Sequence, residues 1–266
     1  MYKLRHLEYE FWRMHLPDPI RVDDDDIIIM ENLEVLIGVN NFNVSEDVVK
    51  RIPNIKTLSV KYDGQLIDIV QYLSCRRCLS KLESLSLIVY STDIGMLQIN
   101  FPPSLIKLII QLPRRFEWEE HILPSIGSLP LLEELRLRRD RFRTREWETV
   151  EDQFQSLKSL ILFECDDLEK LTMSESSHFP RLIKLHLFCL NELKEIPSEI
   201  GDIPTLRSIV LTYCKELVVL LAKEILEKQE DLHGDQLDLL VHATVRKEDE
   251  ALEKLATSNF KVTEMR

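Results

Sequence analysis

The chain has 266 residues, of which 44% are hydrophobic and 30% charged, with 6 Gly, 11 Pro and a formal net charge of −12. That is enough apolar material for a buried core and too few turn formers for a fibrous or low-complexity chain. The acidic balance excludes bulk electrostatic capture of nucleic acid, because phosphate affinity needs a net basic surface.

The start, MYKLRHLEYEFWR, is charged throughout and holds no signal-peptide core. No apolar run reaches the length of a membrane span. Five cysteines, an odd number in a chain of this size, predict reduced thiols and an intracellular, cytoplasmic setting. The sequon Asn43-Val44-Ser45 would matter only in a secreted chain.

From Leu4 onward a pattern L-x-x-L-x-L recurs. The copies are Leu4-Leu7-Tyr9, Leu33-Leu36-Gly38, Ile55-Leu58-Val60, Leu82-Leu85-Leu87, Leu105-Leu108-Ile110, Leu132-Leu135-Leu137, Leu157-Leu160-Leu162, Leu182-Leu185-Leu187 and Leu206-Ile209-Leu211. Their spacings of 22 to 29 residues match the leucine-rich-repeat period of roughly 20–29. In a strand the last two leucines of each copy point the same way, and only stacked neighbours can bury them. The expected fold is an α/β leucine-rich-repeat solenoid, a horseshoe of about nine repeats. Its parallel β-sheet lines the concave face, and irregular or helical segments form the convex face. Asn41, Cys165 and Cys214 fall eight places after the first leucine, where small buried turn residues belong, and Cys189 lies one place early. Cys75-Arg76-Arg77-Cys78 is a single C-x-x-C without the second pair that zinc needs. Asp23 to Asp26 lacks the spacing and turn glycine of a calcium loop.

The solenoid is expected to span 1–214. No capping segment precedes Leu4, so that end reads as open and the chain as a fragment of a longer one. Residues 215–266 read as a C-terminal cap and charged extension. Leu217, Leu220, Leu221 and Ile225 would share one face of a 217–230 helix that stops at His233-Gly234-Asp235. Leu237 to Val245 alternates like a strand, and Lys247 to Ala256 reads as a short charged helix.

Positions alternating with the leucines face the concave side. The partner-binding candidates there are Lys61, Arg136, Arg138, Ile161, Phe163, His186 and Phe188, because arginine and aromatic residues dominate interface hot spots. Arg136 and Arg138 open a run of six arginines ending at Arg145, interleaved with acids into a near-neutral rim. Phe142 and Trp147 are expected to tuck inward. No phosphate loop, nucleophile elbow or H-E-x-x-H motif is present, so no catalytic, cofactor or metal residue is assigned and no enzyme activity is expected.

"LPSIGSLPLLEELRL", "REWETVEDQFQSLKSLIL", "SSHFPRLIKLHLFCLNELKEIPSEIGDIPTLRSIVLTYC" and "AKEILEKQEDL" follow in order from Leu123 to Leu232. With "YKLRHLEY", "MENLEVLIGV" and "RIPNIKTLSV" upstream, they resemble the C-terminal leucine-rich-repeat region of plant nucleotide-binding disease-resistance proteins. The coiled-coil class typified by late blight resistance proteins is the nearest group. The resemblance implies detection of a pathogen effector or host guardee, and contact with the receptor's nucleotide-binding module. ADP or ATP would bind that module, which this sequence does not contain. Met14-His15-Leu16 departs from the family's Met-His-Asp switch. The alternative is a leucine-rich-repeat adaptor, such as the substrate-recognising part of a ubiquitin ligase, which would need an F-box-like segment upstream.

Overall fold

The computed structural model describes residues 3–9, 14–15, 29–42, 46–63, 79–90, 101–111, 122–138, 145–173, 176–246 and 252–264. Asp23 to Asp26, the 43–45 sequon, the Cys75–Cys78 pair, residues 139–144 with Phe142, and 247–251 of the expected charged helix lie outside them. The chain forms two units: Met1–Phe116 with Leu129–Leu132, and Glu117–Ser128 with Glu133–Arg266.

In the first unit the motif copies become β1 (His6–Glu8), β3 (Val35–Asn40), β4 (Thr57–Tyr62), β5 (Ser84–Val89) and β6 (Lys107–Gln111), with β2 (Met14–His15) also on β3. All pairs are parallel, and Leu36, Leu58, Leu85 and Leu108 stand in register. The first leucine of each copy from the second onward is buried as well: Leu33, Ile55, Leu82 and Leu105. The first two copies are irregular. Leu4 and Tyr9 are exposed, and Gly38 does not fill the inward position expected of it. The register slips between Ile37 and Val39, which puts Val39 opposite Val60 and fully buries it. Gly38 sits at φ +82, and a Cβ there would collide with the Tyr9 carbonyl, so only glycine fits the bulge. The same slip displaces Asn41 from the buried turn place, which Phe42 takes, and leaves Asn41 exposed at φ 48.

The second unit orders β7 (Glu134–Arg138), β9 (Ser159–Phe163), β11 (Lys184–Phe188), β12 (Ser208–Thr212), β13 (Leu240–Val245) and β14 (Phe260–Glu264) as a parallel ladder. Leu135, Leu160, Leu185, Ile209, Val241 and Phe260 form one inward row, each at most 1% exposed. On the return side β8 (Glu146–Glu148) pairs with β10 (Lys170–Thr172). Trp147, Phe154 and Phe179 fill the space behind the ladder, with ring centroids 5.9 and 5.4 Å apart along the series. Trp147 is thus inward as expected.

Backbone hydrogen bonds repeat with the strands. Entering β9, β11 and β12, two successive amides converge on one carbonyl of the preceding turn: Lys158 and Ser159 on Glu133, Ile183 and Lys184 on Lys158, Arg207 and Ser208 on Ile183. Leaving each strand, a left-handed residue donates to the end of the next: Glu164 to Phe188, Cys189 to Thr212 and Tyr213 to Thr244. Cys165 and Cys214 follow such residues, are buried as expected, and donate weakly to carbonyls of Leu137 and Leu187 at 3.9 and 3.4 Å. Cys189 is only half-buried, against expectation: it holds the left-handed position itself, and Leu190 fills the buried place.

Among the described residues, regular turns number about six, somewhat fewer than the nine expected. They run from β3 to β6 in the first unit and from β7 to β12 in the second, and the three-residue β1 adds little. Beyond Cys214, a helix spans Glu216–His233 and ends at Gly234 (φ 53). β13 and β14 then extend the ladder. The buried helix face is Val218, Val219, Ala222, Ile225 and Leu226. Leu217 and Leu220, expected on that face, are exposed. Six apolar residues in succession gave periodicity no contrast there. The helix packs so closely on the 198–201 turn that a Cβ on Gly201 would approach Ile225 Cγ2 to 2.8 Å, and Gln229 Nε2 donates to Asp202 Oδ1 at 2.8 Å. Of Lys247 to Ala256, residues 252–255 form a single 3-10 turn.

Candidate protein-interaction surface

Strand pairing sets the open face of the second unit. With leucines inward, Arg136, Ile161 and His186 align across β7, β9 and β11, and Arg138, Phe163 and Phe188 align one step further along. Six of the seven expected partner-binding residues therefore share one surface. The seventh, Lys61, belongs to the first unit, where its Nζ lies 5.0 Å from the Tyr90 ring centroid and 3.6 Å from Asp63.

Phe163 and Phe188 stack with centroids 4.2 Å apart and planes 11° apart. One-repeat spacing in a parallel ladder puts identical positions one strand apart, which suits aromatic stacking. The Arg138 guanidinium lies 4.9 Å from the Phe163 centroid. Phe188 then meets Tyr213 nearly edge-on at 5.8 Å, and Arg246 lies 6.0 Å from the Tyr213 ring. The result is a column of three rings with a guanidinium at each end. Tyr213 and Arg246 escaped the sequence reading. Tyr213 holds the left-handed place after β12 that Glu164 and Cys189 hold after theirs, and that shared offset was the available signal.

Arg136 is tied to Glu134 on its own strand, so the near-neutral rim begins there. His186 Nε2 meets the Thr212 hydroxyl at 3.0 Å. Burial first, then the positive field of Lys184 and Arg136, lowers its pKa below the ordinary imidazole value, so His186 is neutral at pH 7. At the far end of the arginine run, Arg145 and Lys194 both reach Glu169 at 2.7 Å, and hydrogen bonds from Lys194 and Arg145 lower its carboxyl pKa. Arg145 is therefore a repeat-to-repeat tie. Among the described residues, no group of three or more His, Cys, Asp or Glu is placed to hold a metal, and no helix is long and apolar enough to cross a membrane.

The inward leucine rows and parallel ladder define a leucine-rich-repeat solenoid. No family model matches the chain. It is similar to a putative late blight resistance protein homolog of Solanum demissum, R1B-12, at 28% identity over 98% of this chain and 19% of that protein. A second homolog from the same species, R1B-16, is 34% identical over 50% of this chain and 10% of its own length. The chain thus spans about a fifth of the first relative. Both similarities are consistent with a resistance-protein leucine-rich-repeat region.

Proposed function

We propose that this chain is a non-catalytic protein-interaction module of an intracellular plant immune receptor. It recognises a pathogen effector, or a host protein that the effector alters, and helps hold the receptor's nucleotide-binding module at rest. ADP or ATP binds that module rather than this chain. The similarity to a late blight resistance homolog over 98% of the chain carries the reading. The Phe163–Phe188 surface supports it, because half-exposed aromatic residues flanked by arginine are the usual anchors of protein interfaces.

The test is co-expression in leaves with the nucleotide-binding segment of the homolog, scored by co-precipitation and by suppression of the hypersensitive response. The wild-type chain is expected to co-precipitate. Phe163→Ala with Phe188→Ala should weaken capture about tenfold or more, as for loss of hot-spot residues, while circular dichroism stays unchanged. Equal capture by the folded double variant would sink the assignment of this surface. Absence of a phosphate-loop module in the transcript upstream of Met1 would sink the receptor reading.

A further inference from the structure

We infer that the open face of the second unit grips an acidic polypeptide segment, held between Arg138 and Arg246 along the edges of the Phe163, Phe188 and Tyr213 rings. This rests on reading the chain as a protein-binding module and adds the chemistry of the partner.

Charge is sorted on this face. The chain as a whole carries −12, yet the open positions of β7 to β14 hold Arg136, Arg138, Lys184 and Lys261 as bases. Among the described residues, Glu134 is the only acid at the positions of β7, β9, β11, β12, β13 and β14 that alternate with the inward row, and Arg136 already binds it. Arg246 directly follows β13. The flanking acids are Glu164 and Asp166, close enough to act on the same Cys189 sulfur as Arg246. They border the basic stretch at the end of β9.

The rings point to the same partner. Phe163 is covered on one face by Phe188, while the Arg138 guanidinium stacks on its ring. Phe188 and Tyr213 engage each other edge to face. The faces of Phe163 are engaged by Phe188 and Arg138, and Arg246 already stands at the Tyr213 ring. A partner meets ring edges, which carry the positive rim of the quadrupole. A guanidinium stacked on a ring still presents its in-plane N–H groups, and these match a carboxylate fork.

The probe is a fluorescein-labelled ten-residue glutamate-rich peptide, read by anisotropy against the purified chain. Binding is expected at about 50 mM salt and should weaken steeply by about 300 mM, as screening requires. Arg138→Gln with Arg246→Gln should lower affinity about tenfold, and Arg138→Lys with Arg246→Lys should recover part of it, since charge remains but the fork is lost. Glu164→Gln with Asp166→Asn should tighten binding, and Arg145→Gln, outside the column, should not change it. No binding at low salt, or equal binding by the Arg138→Gln/Arg246→Gln variant, overturns the inference. So does equal or tighter binding of a labelled single-stranded DNA of matched charge, which would make the face a general polyanion site. A failed peptide with an intact effect of the Phe163/Phe188 variant on co-precipitation would remove the acidic-partner inference and leave the module reading standing.

Discussion

Two residues show how local chemistry is fixed by the ladder. Gly38 occupies a positive φ beside the Tyr9 carbonyl. Gly38→Ala should therefore lose about 1–3 kcal/mol from backbone strain, plus the cost of moving Tyr9; a lower urea midpoint checks this, and an unchanged one refutes it. Cys214 offers a pH signature. Its thiol is buried, and desolvation outweighs the backbone hydrogen bonds and lifts its pKa to about 11. An unfolded thiol titrates near 8.5–9. Below that range both states hold the proton and the contribution is constant. Between about pH 9 and 11 the unfolded chain releases the proton while the folded one keeps it, so stability falls by up to about 2–3 kcal/mol. Melting curves at about pH 8 and 10.5 should show a larger alkaline loss in the wild type than in Cys214→Ala; equal losses would contradict the burial argument.

At the level of elements, the Glu216–His233 helix shows where sequence reading ends. Its existence and its glycine stop were legible, because a helix of this length has a capped end. Its facing was not: Leu217 to Ala222 are all apolar, so periodicity offers no contrast among them, and Val218, Val219 and Ala222 are the ones that went inward. Leu226→Asn should cost about 2–4 kcal/mol, since it buries an amide in an apolar contact. Leu220→Asn should cost less than about 0.5 kcal/mol. Chemical denaturation of the two variants settles the face, and reversed costs would restore the sequence expectation. Gly201→Ala should also destabilise, because Ile225 Cγ2 stands where the methyl must go. The strands were far more legible. Leu185 and Leu187 alternate with Lys184, His186 and Phe188, and the repeat spacing sets Leu160 and Leu162 in the same inward rows although Ile161 stands between them. Phe163 and Phe188 followed from the same spacing. The stacked Arg138 did not, because the ladder permits either an ion pair or a ring contact at that place. Asn41 was misplaced by one residue because of the slip at Gly38, and Cys189, one place early, holds the left-handed position that precedes the buried one.

Across the second unit, each strand is stabilised by its neighbours in the ladder and the packing behind it. Such stacks lose order from their ends. Phe260→Ala should therefore release amide protons of β13 and β14 well before those of β9 and β11 in hydrogen exchange. Uniform loss along the ladder would mean the unit unfolds as one block. The rungs between β9, β11 and β12 are backbone hydrogen bonds: paired amides on one carbonyl at each strand entry, and one amide from the left-handed residue at each exit. That lattice is indifferent to which side chains stand on the open face. A change such as Ile161→Lys alters what the surface recognises while leaving the backbone rungs in place. The scaffold and the message it carries are written in separate atoms, so new specificities cost the fold little, and a single point change can retarget the surface without a compensating one elsewhere.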